Sequence, residues 1–354
     1  MNPLFAPPVI LAADVGGTHL NLGLLTQAAS GQWRLLRKAT CASRDETSLL
    51  GPLQRFLAAH PAPEPRAACI AGAGPVRGNR LALTNLPWTI DGPALARALG
   101  IPVRVINDFS ALCHGVLALD PRDPAQITPV PHGDGSCPVP DPEGPVLVVG
   151  AGTGLGVGFA VPGQGGHRVF PSEGGHIGLP TWDDTSRDLG RFLTEGCGGP
   201  PGAELAVSGP GLGRLLAFLL ETGRAPSSPV TEAILALPAE ARPAAIPQAP
   251  QDPACARASG LFIELYARVC ADLCAVLLPS GGLYLAGGIT AKNPAWFLAE
   301  GRFMRSFERN YRAHLDALTR ATPVFLVRDY AVSLYGAARA AALGPPSSLL
   351  MPAD

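Results

Sequence analysis

Short apolar runs that end on small or acidic residues alternate along this chain with stretches of helical periodicity. Residues 9–13 form an apolar run that stops at Asp14, and residues 20–25 resume it, which predicts two antiparallel strands joined by a tight loop. Apolar residues at helical spacing mark residues 46–59, and residues 253–278 carry the longest helical pattern. Further strands are predicted at 33–41, 67–71, 80–85, 103–106, 146–149, 157–161, 283–286 and 324–327, and further helices at 93–99, 109–117, 185–194, 208–220, 231–237 and 332–342. This mixture predicts an α/β fold.

Three of the predicted strands run directly into acidic or glycine-rich loops, near Asp14, Gly150 and Gly287. Recurring junctions of this kind in a chain of 354 residues favour two lobes over one, because single domains most often have about 100–150 residues. The spacing of the first two loops indicates two related halves. Segments rich in Pro and Gly or Ala at 125–144 and 225–252 are predicted to be insertions.

Composition and charge exclude several classes of function. The net charge is −1 and no basic stripe is present, so nucleic-acid binding has no support. No apolar helix of about 20 continuous residues occurs, which predicts a soluble protein with no membrane span. The eight cysteines include no C-x-x-C pair and the N-terminus lacks the basic region of a signal peptide, so we expect reduced thiols and a cytoplasmic location.

The loop after the first strand reads Asp14-Val15-Gly16-Gly17-Thr18. Two glycines let backbone N–H groups approach a phosphate without a Cβ in the way, and the Thr18 hydroxyl adds a donor. Asp14 would repel a phosphate but can hold Mg²⁺, usually through water. These residues predict a phosphate site, and an ordinary hairpin turn is the alternative.

A second glycine loop, residues 150–156, follows the strand at 146–149. A dinucleotide fingerprint needs glycines at positions i, i+2 and i+5, and the third position falls on Leu155, Val157 or Phe159 for each possible start. Because a strand follows the loop, a second phosphate clamp around Gly152 and Thr153 fits better than a dinucleotide site. A glycine-rich hairpin without a ligand is the alternative.

Polar residues that suit a sugar lie in two further segments. Asn107-Asp108 ends an apolar strand, where Asp can accept a proton from an alcohol while Asn orients the substrate, although the pair could simply cap the next helix. Glu173 and His176 flank two glycines, and Glu204 lies downstream of them. Carboxylates that accept from two neighbouring hydroxyls suit a vicinal diol. A metal role for His176 has little support, because no Cys/His cluster accompanies it.

These motifs occur in an order that resembles the bacterial ATP-dependent glucokinase family, a branch of the sugar-kinase, actin and chaperone ATPase superfamily. The resemblance covers nearly the whole chain. It rests on DVGGT at 14–18, GPV at 74–76, LTNLPW at 83–88, INDF at 106–109, GAGTGLG at 150–156, EGGH at 173–176, SGPGL at 208–212 and AGGI at 286–289.

The resemblance implies a two-lobed actin-like ATPase fold with ribonuclease H-like halves and a cleft between the lobes. We place the small α/β domain at residues 1–108 plus about 328–354, and the large one at 109–327. The implied reaction is phosphorylation of D-glucose at the 6-hydroxyl by MgATP. The implied assembly is a homodimer, with glucose and ATP as the small-molecule partners.

The resemblance also assigns roles to residues. Asp108 is implied as the catalytic base. The implied glucose ligands are Asn85, Asn107, Asp108, Glu173, His176 and Glu204. The implied nucleotide residues are Asp14, Gly16, Gly17, Thr18, Gly152, Thr153, Gly287 and Gly288, with Asp14 as the Mg²⁺ residue.

One departure from the family pattern concerns the first loop, where His19-Leu20-Asn21 replaces the usual Asn-x-Arg and removes an arginine that could support phosphates. Two alternatives stay open at this point. A ROK-type kinase for another hexose would typically carry a C-x-C-G-x-x-G-C zinc site, and only Cys197 lies in that region. A non-catalytic sugar-binding regulator is the other, and the intact Asn-Asp and Glu-Gly-Gly-His motifs argue against it.

Overall fold

The computed structural model describes residues 7–84 and 86–344. Its strands are β1 (Val9–Val15), β2 (His19–Gln27), β3 (Trp33–Ala42), β4 (Ala67–Gly72), β5 (Val76–Arg77), β6 (Arg80–Ala82), β7 (Thr89–Asp91), β8 (Val103–Asn107), β9 (Ile127–Pro129), β10 (Val146–Ala151), β11 (Leu155–Gly163), β12 (Gly166–Ser172), β13 (Gly282–Ala286) and β14 (Val324–Val327). Its helices are α1 (Leu50–Ala59), α2 (Gly92–Leu99), α3 (Asp108–Val116), α4 (Asp184–Cys197), α5 (Gly209–Glu221), α6 (Pro229–Ala236), α7 (Arg242–Ala245), α8 (Pro253–Leu277), α9 (Gly287–Lys292), α10 (Pro294–Leu298), α11 (Arg302–Glu308), α12 (Ala313–Arg320) and α13 (Val332–Ala342).

Contacts divide the chain into two compact units. The first runs to Gln126 and resumes at Asp329, and the second covers Ile127–Arg328. The sequence placed the boundary after residue 108 instead, at the start of α3. Helix α3 belongs to the first unit because it packs closely on α13: a Cβ added to Gly336 would overlap the carbonyl oxygen of Ala111.

The first unit is built on a sheet with strand order β3-β2-β1-β4-β8. Strands β3, β2 and β1 are antiparallel, whereas β1, β4 and β8 are parallel. Residues of β1 alternate between the two faces, as the two-residue period of a strand requires. Leu11 packs into a core that includes Leu53 of α1, and Ile10 packs into a core that includes Leu334 of α13. Helices therefore cover both faces of this sheet.

The second unit repeats that arrangement. Its sheet has the order β12-β11-β10-β13-β14-β9, with an antiparallel first half and parallel β10, β13 and β14. Leu147 and Val149 of β10 pack into a core to which α8 contributes Leu261 and Tyr266. The first five strands of this sheet correspond in order and direction to the five of the first sheet, which confirms the two related halves expected from the glycine loops, and β9 is an additional antiparallel strand.

Several elements differ from the sequence expectation. Strand β9 lies within the segment predicted to be an insertion, and it pairs with β14 through Ile127 opposite Val327. The prediction also lacked β5, β7 and β12 and helices α7 and α9–α12. The three residues of β9 carry too little periodicity to be recognised as a strand, and the position of β9 depends on a partner strand about 200 residues away in the chain. Helix α1 begins at Leu50, four residues later than predicted, and β6 ends at Ala82.

A buried histidine makes the first unit sensitive to acid. His114 of α3 is 6% exposed, and its Nδ1 accepts a hydrogen bond of 2.8 Å from Arg339 of α13. Burial, together with the charges of Arg339 and Arg104, lowers the pKa of His114 to about 3. The folded protein therefore keeps this imidazole neutral, whereas the unfolded chain protonates it below its ordinary pKa near 6.5.

We expect His114→Gln to reduce the loss of stability in acid. Above pH 6.5 the shift has no effect on stability, and as the pH falls from 6.5 towards 3 the unfolded state binds one more proton, which costs the fold up to about 1.4 kcal/mol per pH unit. Gln keeps an oxygen that can accept from Arg339 but binds no proton. Urea unfolding at pH 7 and pH 5 should show a smaller difference for His114→Gln than for the wild type, and exposed His19→Gln should match the wild type. Equal acid dependence in all three proteins would contradict the assignment.

Candidate active site

The first glycine loop is a three-residue turn between β1 and β2. Val15 of β1 pairs with Leu20 of β2, and Gly16 N–H donates to the carbonyl of His19 at 3.0 Å. Buried Ser43 fixes the loop from outside, because its hydroxyl donates to Gly16 O at 2.6 Å and its N–H donates to Thr18 O at 3.0 Å. These bonds occupy loop carbonyls, and the side chain of Thr18 is exposed. The turn predicted from the sequence is therefore formed and externally supported.

Asp14 lies at the carboxyl end of β1, between Asn21 of β2 and Ala71 of β4. Its Oδ2 accepts a hydrogen bond of 2.7 Å from the hydroxyl of Ser333 on α13. Desolvation raises the pKa of Asp14 to about 6, the Ser333 hydrogen bond opposes that rise, and the charge of Asp108 adds to it. Asp14 and Asp108 thus lie close enough to interact electrostatically. Because its pKa is about 6, Asp14 is mainly ionised at neutral pH.

Asp108 is the first residue of α3, directly after β8. Asn107 is the N-cap: its Oδ1 accepts from Phe109 N–H at 2.9 Å and Ser110 N–H at 3.2 Å, and its Nδ2 donates to Gly74 O at 3.3 Å. The capping role considered as an alternative is therefore present. It also fixes Asp108 at the positive end of the helix dipole, which favours the carboxylate. An amide nitrogen has two hydrogens, so Asn107 keeps one for a ligand.

The second glycine loop is a three-residue turn of the same kind. Ala151 of β10 pairs with Leu155 of β11, and Gly152 N–H donates to Gly154 O at 2.8 Å. The N-terminus of α5 supports the turn, because Gly209 N–H donates to Gly152 O at 2.8 Å. Thr153 at its tip is exposed. Both predicted phosphate loops thus join the central antiparallel strands of equivalent sheets.

Glu204 belongs to the support of this second loop. Its Oε2 accepts a hydrogen bond of 2.8 Å from the backbone N–H of Leu155, the first residue of β11. The same oxygen lies 2.5 Å from the position of a Cβ on Gly154, so a larger residue there would require the Glu204 carboxylate to shift. One carboxylate oxygen of Glu204 therefore binds the protein backbone, and Oε1 is left for a ligand.

The Glu173–His176 turn meets the same residue from the other side. The backbone at Gly175 lies so close to Leu155 that an added Cβ would overlap the Leu155 carbonyl oxygen. His176 Nε2 and Glu173 Oε2 are 3.7 Å apart, and both side chains are mostly exposed. Leu155 thus brings together the predicted hexose residues of the second unit, with Glu204 on its N–H and the Glu-Gly-Gly-His turn on its carbonyl.

Gly287 and Gly288 begin α9 at the end of β13. Gly287 has φ of +90°, and a Cβ there would lie 2.5 Å from the carbonyl oxygen of Ala151. Strand β13 is the parallel neighbour of β10, so this helix start adjoins the second glycine loop. Tyr266 of α8 stabilises β10 near this loop, because the Tyr266 hydroxyl donates to Val149 O at 2.9 Å.

Asn85, one of the predicted glucose ligands, is outside the described residues. Within residues 7–84 and 86–344, no three His, Cys, Asp or Glu side chains form a group that could hold a metal ion on their own. In the same part of the chain no helix is long and apolar enough to cross a membrane.

Sequence reasoning missed Ser43 and Ser333, which support Gly16 and Asp14. Ser333 is 319 residues from Asp14 in the chain, and neither serine belongs to a recognisable motif. No local signal in the sequence identifies such long-range supports.

Solved structures identify the fold. A glucokinase from an Antarctic psychrotroph superposes with a TM-score of 0.79 at 26% sequence identity, covering 95% of this chain and 99% of that one. A ROK family glucokinase from Streptomyces griseus, solved with glucose and AMPPNP, superposes with a TM-score of 0.63 at 22% identity, covering 95% of this chain and all of that one. Together with the paired sheets and their glycine turns, these matches show that the chain has the actin-like ATPase fold of these sugar kinases.

Sequence comparison narrows this class. The family model described as Glucokinase matches residues 11–343. A glucokinase from Nostoc punctiforme is 34% identical over 348 residues, which cover 94% of this chain and 99% of that protein. The chain belongs to the glucokinase family, as its ordered motifs indicated.

Proposed function

We propose that this protein transfers the γ-phosphoryl group of ATP to the 6-hydroxyl of D-glucose, giving glucose 6-phosphate and ADP. The observation that supports this most strongly is the placement of Asp108. A carboxylate held at a helix N-terminus by the Asn107 cap, in a chain of the glucokinase family, has the position and charge expected of a base that accepts a hydroxyl proton. Phosphoryl transfer otherwise depends mostly on positioning and charge neutralisation.

The two glycine turns are proposed to position the nucleotide. In the first, Gly16, Gly17 and Thr18 offer backbone and hydroxyl donors to phosphate oxygens. In the second, Gly152 and Thr153 do the same, and Gly287 with Gly288 is proposed to line the adenosine side. Backbone donors that are fixed in advance need little reorganisation as charge shifts during transfer.

The residues present fit a magnesium ion. Magnesium in kinases is usually held by one or two carboxylates together with substrate phosphates and water, which agrees with a single carboxylate, Asp14, beside the first glycine turn. When bound, the ion neutralises charge on the phosphate oxygens. Asp14 would hold it through water rather than in a protein cage, and Asp14 must be ionised to do so.

Hexose recognition is proposed to use Glu173, His176 and Glu204 in the second unit and Asn107 with Asp108 in the first. Asn85, outside the described residues, is proposed as a further ligand. A carboxylate accepts hydrogen bonds from two neighbouring hydroxyls, which suits the vicinal diols of a hexose. Glu204 has one oxygen on Leu155 N–H, so the sugar would be bound by Oε1.

We expect Glu204→Gln to raise the glucose KM about 10- to 100-fold, since the loss of a charge-assisted hydrogen bond costs roughly 1.5–3 kcal/mol. Gln keeps an oxygen for Leu155 N–H but presents an NH₂ group where the sugar hydroxyls need an acceptor. Steady-state kinetics at saturating ATP measures the effect, with Glu195→Gln on the exposed face of α4 as the control. Unchanged KM and kcat would make Glu204 a purely structural residue of the second loop.

The proposal extends to assembly and location. We propose a homodimer, the state implied by the resemblance, which light scattering would detect as twice the mass of one chain. A cytoplasmic location agrees with the need for ATP as the phosphoryl donor. Neither affects the chemistry proposed above.

A coupled assay across substrates tests the proposed function. Without sugar the coupled reaction should give no signal, and the purified protein should turn over with glucose and ATP in the presence of Mg²⁺. Activity should disappear when EDTA removes Mg²⁺, whereas a zinc-selective chelator should have no effect. Faster turnover with another hexose or with another phosphoryl donor would contradict the proposed specificity.

A further inference from the structure

Helix α13 reaches the first glycine loop through one side chain. Ser333, the second residue of this helix, donates its hydroxyl hydrogen to Oδ2 of Asp14 at 2.7 Å. Ser333 is only 6% exposed, so water has little access to compete for this bond. The carboxylate that the proposed function assigns to magnesium thus has a fixed protein donor on one oxygen.

The direction of that donor is set by rigid packing. Helix α13 packs on β1 and β4, and Leu334, next to Ser333, is fully buried in the core on that face of the sheet. On its other side α13 approaches α3 so closely that a Cβ on Gly115 would overlap the carbonyl oxygen of Val332. The backbone on both sides of Ser333 is therefore confined, and its hydroxyl approaches Asp14 from one direction.

We propose that Ser333 is a positioning residue that fixes the rotation of the Asp14 carboxylate, so that Oδ1 is directed to the metal and its water; this inference rests on the proposed phosphoryl transfer. The terminal torsion of an Asp side chain is broad and has no strong intrinsic preference. Magnesium requires nearly ideal octahedral geometry. A carboxylate that rotates freely would satisfy that geometry only part of the time.

The expected effect is confined to metal-dependent binding. Removal of a residue that orients a metal ligand typically weakens metal affinity or activity by about 10- to 100-fold. We expect Ser333→Ala to weaken binding of MgADP by that factor and to leave binding of ADP in EDTA unchanged, as measured by calorimetry. Ser333→Thr keeps the hydroxyl and should retain most of the metal-dependent gain. The glucose KM should stay within about twofold of the wild type.

Thr40→Val is a matched control. Thr40 of β3 donates its hydroxyl to Asn21 at 2.9 Å, and Asn21 is the residue directly opposite Asp14 on β2, so the variant removes a hydroxyl two strands away from the aspartate. It should bind MgADP as the wild type does. A thermal melt of each variant confirms that the measured protein is folded.

Two results would overturn the role of Ser333. One is a Ser333→Ala protein that gains as much affinity from Mg²⁺ as the wild type. The other is an equal loss of affinity for ADP with and without Mg²⁺, which would indicate general damage to the site. Failure of the proposed function is distinguishable from both, because a wild type that binds neither MgADP nor MgATP would show it before any variant is compared.

Discussion

Asp108→Asn should lower kcat by about 10²- to 10⁴-fold while glucose still binds, because removal of a general base typically has an effect of that size. The amide keeps the size of the carboxylate, and its oxygen can still accept from Phe109 N–H, which the Asp108 Oδ1 does at 2.9 Å. It has no lone pair basic enough to take the hydroxyl proton. Turnover measured with ATP and glucose, together with calorimetric binding of glucose, separates the two effects.

Asp184→Asn is the control for this change. Asp184 is also the first residue of a helix, α4, and its carboxylate forms an ion pair with Arg187 on the surface. Loss of a carboxylate from a helix N-terminus should cost both variants a similar small amount of stability, but only Asp108→Asn should lose turnover. Unchanged kcat in Asp108→Asn would remove Asp108 from the mechanism.

Gly175→Ala should disrupt the hexose residues of the second unit. A Cβ at this position would overlap the backbone carbonyl of Leu155, which cannot move without displacing the start of β11. The Glu173–His176 turn must then lift from the strand. We expect the glucose KM to rise at least 10-fold and the melting temperature to fall by several degrees, since overpacking costs about 1–3 kcal/mol and each kcal/mol lowers the Tm by about 2–4 °C in units of this size.

Gly178→Ala, three residues further on, provides the comparison. A Cβ on Gly178 meets no atom within 4 Å, so the same chemical change adds no contact there. Its KM and Tm should stay close to the wild type. If Gly175→Ala behaved in the same way, the close packing of this turn on Leu155 would not be what positions Glu173 and His176.

Local patterns in the sequence predicted much of the fold. The apolar run before Asp14 and its continuation after Thr18 predicted the β1–β2 hairpin, which the structure contains. The helix predicted at 253–278 is α8, the longest of the described helices, and its end differs by one residue. Such elements carry their own periodicity and their own caps. Strand β9 does not, because its three residues become a strand only by pairing with β14.

The same distinction applies to the candidate site. The glycine turns and the Asn107-Asp108 pair are continuous in sequence, so their chemistry could be recognised before the structure was known. The contact between Ser333 and Asp14 depends on how α13 packs across the sheet, and the bond from Leu155 to Glu204 spans 49 residues. Asn107 shows a further limit: the sequence posed capping and ligand binding as alternatives, whereas an amide that caps with Oδ1 still has a hydrogen on Nδ2 to donate.

Phosphorus NMR of the reaction product tests the central claim most directly. Incubation of the protein with glucose, ATP and Mg²⁺ should give ADP and one new phosphate-ester signal, split into a triplet by the two protons on C6. With 6-deoxyglucose, which lacks the accepting hydroxyl, no sugar phosphate should form. A doublet, which reports an ester on a carbon with one proton, or ATP that remains unchanged with glucose, would contradict phosphoryl transfer to the 6-hydroxyl.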